Sequence, residues 1–169
     1  VRGHARTLAL AELSEDERPA AVQIAGSRPA VLAEAAACLV DRGADLVDVN
    51  MGCPVRKIVG CDAGAALLKD PARAARIVEA IRARVSVPVT VKIRAGWDDA
   101  SQCIALARAV EAAGVHGITV HGRTREQQYA GRSDLVAIRK VKEAVEVPVI
   151  GNGDVVRPAD AAEMVERSE

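Results

Sequence analysis

One pattern narrows the folds open to this chain more than any other feature. Five short aliphatic segments alternate with alanine-rich amphipathic stretches. The segments are "AAVQIAG" (20–26), "DLVDVNMG" (45–52), "VPVTVKIRAG" (87–96), "HGITVHG" (116–122) and "VPVIGNGD" (147–154), and the intervening stretches are 29–43, 71–84, 100–114 and 133–145. Asp70-Pro71 reads as a helix start, and Gly43 and Gly114 follow the ends of two others. Strand–helix–strand repetition of this length implies right-handed crossovers and a parallel sheet.

Side chains alternate faces along a strand, so the five segments can be compared face by face. One face carries Gln23 and Ala25, Asp48 and Asn50, Thr90, Lys92 and Arg94, Thr119 and His121, and Asn152. The other carries Val22 and Ile24, Val47 and Val49, Val89, Val91 and Ile93, Ile118 and Val120, and Val149. A doubly wound sheet, covered by helices on both sides, calls for two apolar faces. A (β/α)8 barrel keeps its helices outside and gathers polar groups at the inner C-terminal end of its strands. The expected fold is therefore α/β, a partial (β/α)8 TIM barrel with about five of its eight strands. A whole barrel takes about 250 residues, and this chain has 169. It begins at Val1 and ends in "RPADAAEMVERSE", a helix start, and reads as a piece of a longer protein. Residues 1–19 read as an irregular lead-in with at most a short helix around 9–17.

Composition removes several classes of function. The 23 basic and 23 acidic residues balance, so no global field draws the chain to nucleic acid or membrane. No apolar run approaches the roughly 18 residues of a membrane span, and no signal-peptide pattern opens the chain. Cys38, Cys53, Cys61 and Cys103 form no CxxC pair and no zinc spacing, which suggests free thiols in a reducing cytoplasm and no metal. Without Phe, and with one Trp and one Tyr, the core must be aliphatic, as suits a parallel sheet under helices.

A few positions could carry chemistry. Lys92 sits mid-strand, where a lysine needs compensation. It either pairs with Asp48 or Asp154, or it faces a ligand with negative charge. Gly52 and Pro54 lift Cys53 out of its strand, a poor place for a packing residue. Its thiol could serve as nucleophile, activated by His121, as metal ligand or as proton donor. His121 and Asn152 occupy equivalent strand ends, and Gly151 and Gly153 let the backbone approach a bound group. Arg56, Lys57, Arg123, Arg125 and Arg132 fall in loops after strands, on one rim that could meet an anionic substrate.

These residues then match something specific. "DVNMGCPVRKIVGCDAGAALL" closely resembles the signature of the tRNA-dihydrouridine synthases, flavin-dependent (β/α)8 enzymes. "PVTVKIRAGW", "GITVHGRTREQQYAG" and "PVIGNGDV" follow in the family's order, so the resemblance covers roughly residues 20–162. It is closest to the bacterial branch with "NMGCP" and "NGD". The resemblance implies reduction of uridine in tRNA to 5,6-dihydrouridine: NADPH reduces FMN, the flavin delivers hydride to uracil C6, and a cysteine, here Cys53, protonates C5. It implies flavin contacts at Gln23, Lys92, Asn152, Gly153 and Asp154, with His121 in many members, and places Asn50 beside the substrate base. It also selects proton donor over nucleophile for Cys53. Arg123 and Arg125 are then the preferred phosphate contacts on the rim.

There are departures. The family is usually glycine-rich where Cys61-Asp62 stand, and an aromatic is common at Leu135. Cys61 is a candidate for an adventitious disulfide with Cys53 under oxidation. The family's first two strands, the last strand's phosphate site and the C-terminal helical tRNA-binding domain are expected to be absent, leaving residues 1–169 as an incomplete FMN-binding catalytic domain, inactive alone. The competing readings are another FMN barrel oxidoreductase acting on a free pyrimidine, and a non-catalytic RNA- or flavin-binding remnant.

Overall fold

The computed structural model describes residues 9, 12–14 and 16–168. Five parallel strands lie in sequential order in one sheet: β1 (Ala21–Ile24), β2 (Leu46–Met51), β3 (Val89–Gly96), β4 (Gly117–Thr124) and β5 (Val149–Asn152). Helices α1 (Pro29–Val40), α3 (Pro71–Arg82), α4 (Gln102–Ala112) and α5 (Leu135–Ala144) make the crossovers, and α6 (Pro158–Ser168) follows β5. Short α2 (Arg56–Val59) and a 3-10 turn (Gly64–Lys69) fill the β2–α3 connection. These two have no counterpart in the sequence reading, because four to six residues carry too little periodicity to register.

The helices begin and end where local chemistry directs. Pro71 opens α3, and the Asp70 carboxylate caps it by accepting from the N–H of Arg73 at 2.9 Å. Asp134 caps α5 by accepting from the N–H groups of Val136 and Ala137. Of the short helix expected around 9–17, residue 9 is helical, 12–14 have no regular structure and 16–17 form a turn, while 10, 11 and 15 lie outside the described residues.

The two sheet faces differ as the alternation requires. Val47, Val49, Val89, Val91, Ile93, Ile118 and Val120 are fully buried and join Leu32, Ile77, Ile81, Leu106, Ile138 and Val141 from the helices in one core. On the opposite face Asp48, Asn50, Thr90, Lys92 and Thr119 are only half-buried and Gln23 is exposed. Helices on one face and polar groups on the other are the arrangement of a barrel wall, and the chain is five consecutive (β/α) units of such a wall. Parallel register places Asn50, Lys92 and Thr119 in one row, and Arg94, His121 and Asn152 in the next. Among the described residues no helix is long and apolar enough to cross a membrane.

Candidate active site

β2 ends at Met51, and Gly52-Cys53-Pro54 turns away from the sheet. The Asn50 side chain fixes this bend. Its Oδ1 accepts from the N–H groups of Gly52 at 3.2 Å and Cys53 at 2.9 Å. Its Nδ2 donates to Gln23 Oε1 at 2.8 Å, Gln23 Nε2 donates to Asp48 Oδ2 at 2.7 Å, and Thr90 Oγ1 donates to Asp48 Oδ1 at 2.6 Å. One polar chain thus runs from β3 through β2 to β1 and back to the cysteine. On the other side the N–H of Ala65 donates to the Cys53 carbonyl at 3.0 Å. Gly64 permits this approach: its φ is +59°, and a Cβ there would lie 2.7 Å from that carbonyl oxygen. Cys53 itself is a half-buried free thiol, and Cys38, Cys61 and Cys103 are also unpaired.

Lys92 and Asn152 meet on the inner face, with Lys92 Nζ donating to Asn152 Oδ1 at 3.2 Å. Among the described residues Lys92 forms no salt bridge, so of the two alternatives the pairing with Asp48 or Asp154 is not made. Burial and the neighbouring Arg94 guanidinium pull its ammonium below the usual lysine range, against the opposing pull of Asp48. His121, in the next row, is buried. Burial, together with the cations Arg94, Lys92 and Arg123, pushes its pKa down to about 4, with Asp154 opposing. The imidazole is neutral at pH 7, able to accept a proton or donate one hydrogen bond.

Sequence reasoning placed Arg94 on the polar face but gave it no role. It shares the inner face with Lys92 and is only 3% exposed. Nε donates to the carbonyl of Gly52 at 2.9 Å, and NH1 donates to those of Thr124 at 3.1 Å and Gln128 at 2.8 Å. Its guanidinium also lies 5.7 Å from the ring centroid of Tyr129, which is 76% exposed on the rim. Arg94 therefore ties the cysteine bend to the loop after β4. The available signal was the i, i+2 spacing from Lys92, which puts a second cation on the same inner face.

Arg123 was expected in a loop, free on the rim. β4 instead continues through Thr124, which carries Arg123 onto the inner side of the strand with His121. The side chain is buried: NH2 donates to both Asp154 oxygens, at 2.7 and 2.9 Å, and to the carbonyl of Gly131, and Nε donates to the carbonyl of Ala130. Asp154 accepts in addition from the N–H of Ser133 at 2.7 Å. That bond and the Arg123 guanidinium hold its carboxyl below the usual range. The carboxylate is thus engaged by protein groups. Arg125 stays on the rim. Gly153, with φ +119°, brings the backbone close to Ser133 and His121, where a Cβ would lie 2.6 and 2.9 Å from their side-chain atoms. Gly151 does something other than expected: the space a Cβ would need is filled by Met164 of α6, so this glycine serves helix packing. Among the described residues no cluster of metal-ligating side chains forms.

Comparison with known proteins adds to this geometry. The family model described as "Dihydrouridine synthase (Dus)" matches residues 1–168. The chain is 48% identical over 152 residues to a "Probable tRNA-dihydrouridine synthase" of Rhizobium leguminosarum bv. phaseoli, covering 89% of this chain and 48% of that protein. It is 46% identical over 155 residues to "tRNA-dihydrouridine synthase B" of Pseudomonas aeruginosa, covering 91% and 46%. The chain spans about half the length of the curated relatives it matches. Among solved structures, an isomerase from Streptomyces coelicolor A3(2) superposes with a TM-score of 0.57 at 20% identity, over 88% of this chain and 37% of that one, a likeness of fold alone.

Proposed function

Because the chain belongs to the dihydrouridine synthase family, we propose that the native protein reduces uridine in tRNA to 5,6-dihydrouridine, with FMN as its bound flavin and NADPH as reductant, in the cytoplasm. The observation that carries this reading is the convergence of Gln23, Lys92, His121 and Asn152 on one sheet face, at whose C-terminal rim the Asn50-clipped bend presents Cys53.

The donor set fits a flavin. Lys92 is a desolvated cation without a carboxylate partner among the described residues, suited to the negative charge that a reduced isoalloxazine carries near N1 and O2. Gln23 offers a donor and an acceptor on the same face. Neutral His121 adds no charge. Bound FMN supplies the hydride that uracil C6 receives. Cys53 then acts as general acid: its Sγ proton passes to C5, which holds the electron pair after hydride addition. Asn50 keeps that thiol in place and has one amide N–H left for the base. A uracil stacked in tRNA is out of reach of such a rim, so the target must be extruded. Arg125 meets phosphate there, whereas Arg123, spent on Asp154, positions the loop that covers His121.

The test is the dihydrouridine content of tRNA from cells with and without the gene. Loss of the modification at one or more positions is expected. Unchanged content at every position would overturn the reading.

A further inference from the structure

Trp97, the single tryptophan, follows β3 on the same rim as Cys53. The Lys69 ammonium lies 3.3 Å from the centroid of its ring, and Arg125 Cζ lies 4.6 Å from it. Lys69 closes the 3-10 turn that follows the cysteine bend. The N–H of Arg125 donates to the carbonyl of Gly96 at 2.7 Å, and that of Glu126 to the carbonyl of Trp97 at 3.0 Å. The loops after β2, β3 and β4 thus converge on one indole.

Cation–π attraction accounts for either stack alone. It does not account for bringing two like charges to one ring without a carboxylate to neutralise them. Most nearby carboxylates are engaged elsewhere, and among the described residues Glu126 forms no salt bridge. Asp62 and Asp70 pair with Arg73 at 3.3 and 3.0 Å, Asp98 accepts from Gln102 Nε2, and Asp99 accepts from the N–H of Ser101. Among the described residues neither Lys69 nor Arg125 forms a salt bridge, and Arg125 Nε is buried with no hydrogen-bond partner. A buried donor left unpaired is destabilising, and an anion arriving here would relieve both that cost and the repulsion.

We infer that Lys69 and Arg125, mounted on Trp97, form a subsite for one phosphodiester group of the RNA strand that delivers the target base. This rests on the synthase reading and names a binding element for its substrate. The ring face occupied by the Lys69 ammonium is not free to stack a base, so the subsite reads backbone rather than sequence. Its place on the rim that carries Cys53 ties it to substrate rather than to an acidic protein partner.

The experiment measures binding of an unmodified tRNA transcript to the native holoprotein across a range of KCl concentrations. Lys69→Gln and Arg125→Gln combined should reduce the slope of log Kobs against log[KCl] by about 0.7–0.9, the contribution of the one shared phosphate contact, and each alone by part of that, while Lys69→Arg keeps it. Lys69 is exposed, so its substitution tests the subsite even where Arg125→Gln alters packing. Slopes equal to that of the unaltered protein would overturn the inference, as would binding weakened equally at every salt concentration. An unaltered protein that neither binds tRNA nor reduces its uridines would instead sink the synthase reading itself.

Discussion

Arg94 Nε donates to the carbonyl of Gly52 at 2.9 Å, across 42 residues of chain. The residue before the proposed proton donor is thereby held by a strand other than its own. The same guanidinium grips the carbonyls of Thr124 and Gln128, so the cysteine bend and the loop after β4 share one anchor.

Arg94→Gln cannot span the three carbonyls and leaves buried acceptors unmet. Thermal unfolding should report a loss of about 2–4 kcal/mol. In single-turnover assays tRNA reduction should fall roughly 10- to 100-fold, since misplacing the thiol is costly, while Cys53 still reacts with alkylating reagents. Reduction at the unaltered rate would show that the anchor is structural only.

Cys53→Ala removes the acid but no part of the polar chain from Thr90 to Asn50. Flavin content and NADPH oxidation should persist while tRNA reduction is lost, as read by absorbance at the flavin bands and by dihydrouridine analysis. Loss of flavin in this variant would mark Cys53 as a structural residue.

Lys92→Met replaces a desolvated, carboxylate-free cation with an apolar chain of similar length. The stability of the flavin-free protein should hold or rise, and the retained flavin per chain should fall. Unchanged flavin content and redox potential would remove Lys92 from the cofactor site.

His121 should make folding pH-dependent. Its folded pKa, about 4, lies below the unfolded value of about 6.5. Between these values the unfolded chain binds more protons, so stability rises with pH. The full stability is present above about pH 6.5 and is lost as pH falls towards 4, by up to about 3 kcal/mol. Asp154, whose carboxyl is held low, loses its contribution only below that window. Comparing melting temperatures at pH 7.5 and pH 5 checks this, and His121→Gln should flatten the difference.

The sheet, its order and its two unlike faces were legible because alternation is written residue by residue in 20–26, 45–52, 87–96, 116–122 and 147–154. The positions of Lys92, His121 and Asn152 followed from that alternation alone. Arg94 was not legible as an anchor because its acceptors are backbone carbonyls, which every residue has and no sequence distinguishes. Arg123 was misplaced because strand β4 outlasts its aliphatic run: the ladder beside β3 and the bridge to Asp154, 31 residues on, carry it past "HG". Gly151 and Gly153 look alike in "GNG", yet one faces Met164 and the other His121, a difference set by β5 ending at Asn152, before the second glycine, and by a helix lying beyond the motif.

Asn50 captures the amides of Gly52 and Cys53 within three residues, and Gly64-Ala65 closes over the carbonyl from the far side. The backbone of the bend is therefore held from within a contiguous stretch of 16 residues (50–65), with Arg94 gripping it from outside. Such a segment behaves as a cassette: spliced after a strand of another barrel with an arginine opposite, it would carry its acid along, and neutral drift that spares that arginine would leave the acid where it is.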